Sequence, residues 1–511
     1  IGTYVKAKGE SNVEVGDRGN DSIRVNGRAV AARVIGEGAN LGVTQLGRCD
    51  YALGGGRINT DFIDNSAGVD CSDHEVNIKI LLGEAVSRKA LTRARRDKAL
   101  ADMTDDVAAL VLTDNYRQSM ALTHAEHQSF ALIDEHQQFM HTLERGGDLN
   151  RAVEFLPPDD ELDQRRAVGR GLTRPELSVL LAYAKMVLFE NVLDSALPDD
   201  PYLVAGLNLY FPPLIQKRFA ELIPAHRLRR EIIATYVANT LVNRTGPGFV
   251  TTLHDRTGAA AGNIARAYLI CRQVFRVAEL WSGVEALDNS VPTDVQTEMH
   301  LEILEIIKRG TMWFLRHGGA ESRIDAVVRV FRDPVAAIED TLGDILADAL
   351  KVAGEEKTQR YVESGVPAAL ARRVANLDAL APCCDIVRIS AGGRIEPIAV
   401  ARVFYGLGRN YGFDWLRDAA FKVVRGDRWA RGAALGLVDD LYAYQAALTT
   451  RVLDLAGSPE LVPVMIGAWS ESHGHAIARV NAMIGELKTA KTLDLPMLMV
   501  VGSEIRGLSQ L

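Results

Sequence analysis

Apolar positions along this 511-residue chain follow two rhythms. Over about the first 95 residues they come in short runs broken by glycine, asparagine and aspartate. Residues 27–35 (GRAVAARVI) read as one short strand, with Val30, Val34 and Ile35 spaced by small residues. It runs into GEGANLGVTQLGR, residues 36–48, where glycines gather as a strand ends and a helix can begin. Residues 51–75 read as loops around short strands, with Asn65–Val69 as a polar turn. From Val76 the spacing becomes helical, and Ser72 with Glu75 three residues on form a capping box for that helix.

Beyond residue 95 the rhythm is helical almost throughout. Residues 104–144 predict one long helix or two consecutive ones, closed by Gly146-Gly147. Thr173-Arg174-Pro175-Glu176 is a second capping box, with proline in the first turn, where its missing N–H is not needed. Residues 226–245, 262–275 and 277–288 continue the pattern, and Thr293 with Gln296 predicts a third capped start. Asp333-Pro334 and Ser458-Pro459 each place a cap before an N1 proline. A short piece near Ile386–Ile389 is the exception that reads as strand. The expected fold class is therefore multidomain, α/β plus all-α. Residues 1–95 form the α/β part, and residues 96–511 a helical region with a further division near 310–325. No internal repeat is visible.

Composition narrows the function classes. Hydrophobic residues make up 47% and charged residues 24%, ordinary values for a globular chain. The net charge of −8 gives no overall basic field for nucleic acid. Five cysteines exclude a disulfide scaffold, and no apolar run reaches membrane-spanning length. The opening residue is Ile1, with no basic segment leading into an apolar one. We read the chain as the C-terminal part of a longer, cytoplasmic protein.

Isolated candidates for chemistry are weak. His124, His127 and His136 share a helical stretch with Glu126, yet complete no di-metal pattern. His473 and His475 lack a third ligand, and Cys383-Cys384 match neither a redox nor a zinc motif. Cys71 reads as a packed thiol, and Trp281, Trp313 and Trp469 as core. Arg227, Arg229 and Arg230 read as a solvated or salt-bridged face. Lys6 and Lys8 read as surface residues.

Gly36, Gly38 and Gly42 follow a strand but fail the spacing of a dinucleotide fingerprint. The longer text is more specific. VIGEGANLGVTQLGR, followed by GGRINTDFIDNSAGVDCSDHEVNIKILL, resembles the large bacterial NAD-specific glutamate dehydrogenases. GLTRPELSVLLAYAK (171–185), HRLRREIIAT (226–235), NRTGPGFV (243–250) and GNIARAYLICRQVF (262–275) resemble the same family's C-terminal part. Smaller glutamate dehydrogenases carry a related pattern. Its counterparts here are Glu37–Asn40, Thr44, the turn Asn65–Val69 with Ala67 for a glycine, and Ser72 with Glu75.

The resemblance implies roles. Residues 1–95 would be the C-terminal portion of a Rossmann-like dehydrogenase domain. Gly38, Asn40 and Asn65 would lie beside NAD, and Val69 and Ser72 would line the glutamate pocket, Ser72 bonding the distal carboxylate. Amides can donate to and accept from a carboxamide at once. A hydroxyl beside a carboxylate selects for the right side chain. The implied reaction is oxidation of L-glutamate to an imino acid, then hydrolysis to 2-oxoglutarate and ammonia. The catalytic lysine and aspartate are expected upstream of Ile1, so the isolated chain is expected to be inactive. A homo-oligomer without nucleic-acid or membrane partners is expected. NAD and NADP are not separable on these residues, because the discriminating position is expected upstream. The competing reading is a helical scaffold or regulatory region without catalysis of its own.

Overall fold

The computed structural model describes residues 2–346, 348–393, 395–423, 428–456 and 462–510. The chain forms two compact units: Ile1–Leu269 with Phe314–Asp325, and Ile270–Trp313 with Ala326–Leu511.

The first unit holds every strand among the described residues. Val5–Lys6 (β1) pairs in parallel with Val25–Asn26 (β2), and Val34–Ile35 (β3) with Arg57–Ile58 (β4). Parallel neighbours need a crossover. For β3 and β4 it is helix Gln45–Leu53, whose cap Thr44 accepts from the Gly47 N–H at 2.9 Å. Val5, Val43, Tyr51 and Ile58 are buried together, with Val30, Ile35 and Ala52 against them. Gly47 has a packing reason: a Cβ there would come within 2.9 Å of the Lys6 backbone. Its absence lets the helix lie directly on β1.

The rest of this unit is helical. Ser66–Ser87 packs on Thr104–His127, which packs on Arg174–Leu193, and Arg229–Thr245 lies against both of the latter two. Gly147 ends the Ile133–Gly146 helix in the left-handed conformation, as its position implied. The Thr173 capping box is present: Glu176 accepts from the Thr173 N–H at 2.6 Å and from its hydroxyl at 2.7 Å. The same carboxylate is buried against the Arg165 fork, at 2.7 and 2.8 Å. The α/β region ahead of a large helical one is the fold class expected.

Local expectations fail at identifiable places. Residues 27–35 are not one strand; Gly27–Ala29 is a 3-10 turn, and only Val34–Ile35 pairs. Asn65–Val69 is not a free turn and Ser72 is not a cap. The helix already begins at Ser66, and the Ser72 hydroxyl donates to the Val69 carbonyl at 2.7 Å. Thr293 does open a helix, but the Gln296 amide donates to the Val291 carbonyl at 3.0 Å instead of closing a box.

Every element of the second unit among the described residues is a helix. Pro334 lies inside helix Ile324–Ile345 rather than at a start. Ile324, Val328, Val335, Ile338, Leu342 and Ile345 form one buried stripe across it, and burying that stripe outweighs one lost backbone bond. Ile386–Ile389 is in helix Cys383–Gly393. Four residues, with Ile386, Val387 and Ile389 buried and Arg388 exposed, are too short a run for a period to distinguish the two states. Ser458-Pro459 lies outside the described residues.

Removing one partner of a buried pair strands the other's charge, costing about 3–5 kcal/mol. Glu176→Ala should therefore lower unfolding stability by about 3 kcal/mol in urea titration. Glu161 also pairs with Arg165, at 2.6 Å, but is 45% exposed. Glu161→Ala should cost under about 1 kcal/mol. Equal losses would contradict this assignment of the pair.

Candidate functional site

β3 and β4 run in the same direction, so their carboxyl ends open on one edge, the position where open α/β sheets bind ligands. The segment 36–44 leaves β3 there, and Asn59-Thr60 leaves β4. A buried ionic group holds the first segment in place. Arg48, from helix Gln45–Leu53, donates to Glu37 through Nε at 2.5 Å and Nη2 at 3.1 Å, and pairs with Asp61 at 3.2 Å. The carboxylates in turn take backbone donors. Asp61 accepts from the Leu41 N–H at 2.9 Å, Glu37 from Val43 at 3.1 Å, and Asp64 from Glu37 at 2.8 Å. Leu41 is held at φ 66°, a left-handed conformation a leucine adopts only under such constraint. The second segment is tied down too: Asn59 donates to Asp64 at 2.6 Å and accepts from Arg174 at 2.5 Å.

On this frame the residues singled out from the sequence come together in part. The Asn65 amide donates to the Asn40 side-chain oxygen at 2.9 Å, joining the two segments. Both amides keep unused hydrogen-bonding capacity toward solvent. Asn65 precedes helix Ser66–Ser87. At 3.6 residues per turn, positions 65, 69, 72 and 76 share a face. That face points outward: Val69 is 75% exposed, and Ser72 and Val76 are exposed as well. The opposite face, His74, Asn77, Ile78, Leu81 and Leu82, is buried. Gly38 is exposed in the segment and has no positive φ, so nothing within this chain requires glycine there. Ala67 in place of a glycine is accommodated because it falls in a regular helical turn. The two amides are adjacent, Asn40 exposed and Asn65 half-buried, and each has the donor and acceptor atoms that could hold a carboxamide.

Sequence reasoning assigned no role to Arg48, Asp61 or Arg174, whose buried positive and negative charges fix the site. Glu37 was noticed only as part of a motif. Lys6 is no idle surface residue: its Nζ donates to the Glu10 carbonyl at 2.6 Å and to Asn26 at 2.9 Å. Cys71 is exposed rather than packed; the other four cysteines are buried. His124 and His136 are core histidines, which burial pushes down to about 4. His473 stacks on Trp469 and contacts Ser472. Trp281 and Trp469 are buried. Arg229 and Arg230 both pair with Asp199, a salt-bridged face as read. No helix among the described residues is long and apolar enough to cross a membrane.

A short α/β part ahead of a large helical part is also what comparison with known families gives. Residues 1–125 match the family model "Bacterial NAD-glutamate dehydrogenase, catalytic domain", and residues 169–507 match "Glutamate dehydrogenase, C-terminal". The chain belongs to the large bacterial NAD-specific glutamate dehydrogenase family. It is 41% identical over 510 residues to the NAD-specific glutamate dehydrogenase of Pseudomonas aeruginosa, covering 100% of this chain and 32% of that one. The Halomonas elongata enzyme of the same name gives 41% and the same coverage. That of Mycobacterium tuberculosis gives 35%, with 31% of its length covered. The chain thus spans about a third of the length of the curated relatives it matches.

Two outcomes follow from this geometry. Arg48→Met should leave Glu37 and Asp61 buried without a counter-charge and release the segment they hold. Hydrogen exchange at the Leu41 and Val43 amides should then rise by about tenfold or more, while Ile58 stays protected. Unchanged exchange would show that the ionic group does not hold the segment. The second concerns His136, whose folded pKa of about 4 lies below the ordinary value near 6.5. Between those values the unfolded chain binds the extra proton. Stability is therefore full above about pH 6.5 and falls by up to about 1.4 kcal/mol per unit as pH drops toward 4. His136→Leu should flatten that slope in urea titrations across the range, and a slope identical to wild type would refute it.

Proposed function

We propose that this chain supplies the nicotinamide-side and distal-carboxylate contacts of an enzyme that oxidises L-glutamate with NAD. The observation that carries the reading is the shared outward face. The Asn40–Asn65 amide pair sits at the carboxyl ends of two parallel strands, and one and two helical turns on come exposed Val69 and Ser72. Bound NAD would take up the hydride from the glutamate α-carbon. The chain's own residues bind and orient. Asn40 and Asn65 can each donate and accept toward a carboxamide and ribose. Val69 offers an apolar wall to the substrate's methylenes. The Ser72 hydroxyl, now bonded to the Val69 carbonyl, can turn outward to the distal carboxylate for the loss of one helix-internal bond. The loop carrying Gly38 gives the cofactor an approach free of side chain. Loss of hydride leaves an imino acid; water adds at its carbon and ammonia departs, giving 2-oxoglutarate. We assign the proton-transfer groups to no residue of this chain.

The test uses the full-length gene product and glutamate-dependent NAD reduction. Losing a hydrogen bond to a charged group is worth about 1.5–3 kcal/mol, so Ser72→Ala should lower kcat/KM for glutamate roughly 10- to 100-fold. It should lower that for norvaline, which has no distal carboxylate, far less. Equal kinetics for wild type and variant would remove the pocket assignment and favour a helical scaffold.

A further inference from the structure

The inward side of helix Ser66–Ser87 carries polar residues that the hydride chemistry does not use. Asp70 and His74 lie one turn apart, and Asp114 comes from the neighbouring helix Thr104–His127. Each brings one ligand atom to within 4.8 Å of the other two. His74 is only 3% exposed, and its ring is clamped by stacking on Tyr210 with centroids 4.4 Å apart. Its Nε2 faces Asp70 at 3.9 Å, and its Nδ1 is buried without a hydrogen-bond partner.

The carboxylates are equally unsatisfied. Neither the Asp70 nor the Asp114 carboxylate accepts a hydrogen bond from a described residue. Their ion-pair contacts are long, 3.9 Å from Asp70 to His74 and 3.9 Å from Asp114 to Arg117. The adjacent Asp73, by contrast, accepts the Tyr210 hydroxyl at 2.6 Å. Lys185 is the other nearby cation: its charge acts on both carboxylates, but its Nζ makes its hydrogen bond to the Gln118 side-chain oxygen, at 3.0 Å, and no ion-pair contact to either acid. Two negative groups this close, without donors, repel each other unless something positive comes between them.

We propose that Asp70, His74 and Asp114 form a binding site for a divalent transition-metal ion, Zn2+ or Mn2+. One imidazole and two carboxylates suit such ions; Mg2+ and Ca2+ prefer oxygen alone. The Asp70 side chain remains 26% exposed, which leaves a path for the ion and a coordination position for water. The ion would cross-link two helices that Asn115 already joins, by donating to the Ile63 carbonyl at 2.9 Å and to Ser66 at 3.1 Å. Its role is positional: it holds the helix whose outward face presents Val69 and Ser72. The assignment does not depend on the hydride reading.

The experiment takes the full-length gene product, strips it with EDTA and dialyses it against Zn2+, Mn2+ or Mg2+ in parallel. Bound metal per chain is counted by inductively coupled plasma mass spectrometry. Wild type should retain one more Zn2+ or Mn2+ per chain than either Asp114→Asn or Asp70→Asn, and no additional Mg2+. Affinity at this site should fall roughly tenfold or more in each variant. Both variants are isosteric and remove a repelling charge, so in EDTA they should melt no lower than wild type; added Zn2+ or Mn2+ should raise the melting temperature of wild type alone. Equal metal content in wild type and both variants, or no metal in wild type, would overturn the site. The latter outcome would mean that the two carboxylates are neutralised by a shared proton.

Discussion

A guanidinium buried between two carboxylates sets the geometry of the sheet edge. Arg48 reaches Glu37 and Asp61 from a helix that packs on the sheet, and both acids spend their remaining lone pairs on backbone N–H groups of the segment 36–44. Such a group adds little net stability, because desolvating three charges consumes most of the Coulomb gain. What it does is exclude alternatives. Any other path for the segment would leave a charge buried and unpaired. That is why Leu41 can be kept at positive φ, a cost of order 1 kcal/mol that an unbraced loop would relax. The Asn40–Asn65 contact inherits its position from this frame.

The brace does not end at the sheet. Gln45, on the same helix as Arg48, donates to the Pro175 carbonyl at 3.3 Å, and Arg174 reaches Asn59 at 2.5 Å and the Ser119 carbonyl at 2.9 Å. The start of helix Arg174–Leu193 is itself locked by the Thr173–Glu176–Arg165 group. Two buried acid–guanidinium groups therefore stand at the two ends of one chain of contacts, from the β3 exit to the helical core of the same unit. Both use arginine, whose fork satisfies a carboxylate through two parallel bonds where lysine would offer a point charge.

The local elements that carry this brace were readable from the residues, for a physical reason. Strong local signals survive folding: the Thr173 box, Gly147 at a helix end, and the glycine-rich exit after β3 were all in place. Signals failed where tertiary packing decides. Ser72 has the chemistry of a cap, but the buried stripe formed by His74, Ile78, Leu81 and Ala85 already commits the helix, and the first turns before it simply continue it. Pro334 yields to a longer apolar stripe in the same way. The Glu37–Arg48–Asp61 group was beyond reach because its members are 11 and 13 residues apart, on elements whose meeting is fixed by the parallel pairing of β3 and β4. Charged residues at such spacing are ordinarily solvated, and only the closed fold shows which are not.

Helix Ser66–Ser87 shows what periodicity alone can organise. Residues 65, 69, 72 and 76 face out, while 70, 74, 77, 78 and 81 face in, so neighbouring letters in Val69-Asp70-Cys71-Ser72 belong to different environments. The outward face is unusual for a surface helix, since it exposes Val69 and Val76 beside a serine, while the inward face buries His74 and Asn77 among leucines. A helix with apolar residues out and polar residues in has its moment partly cancelled. Hydrophobic burial alone therefore holds its rotation weakly, and a turn of one residue position would swing every side chain by about 100°. Rotation must be set by specific polar contacts: Asn77 to Tyr210 at 2.8 Å, His226 to the Asn77 carbonyl at 3.0 Å, and Asn115 to the first turn. The angle at which Ser72 meets the outside is thus determined from the inside.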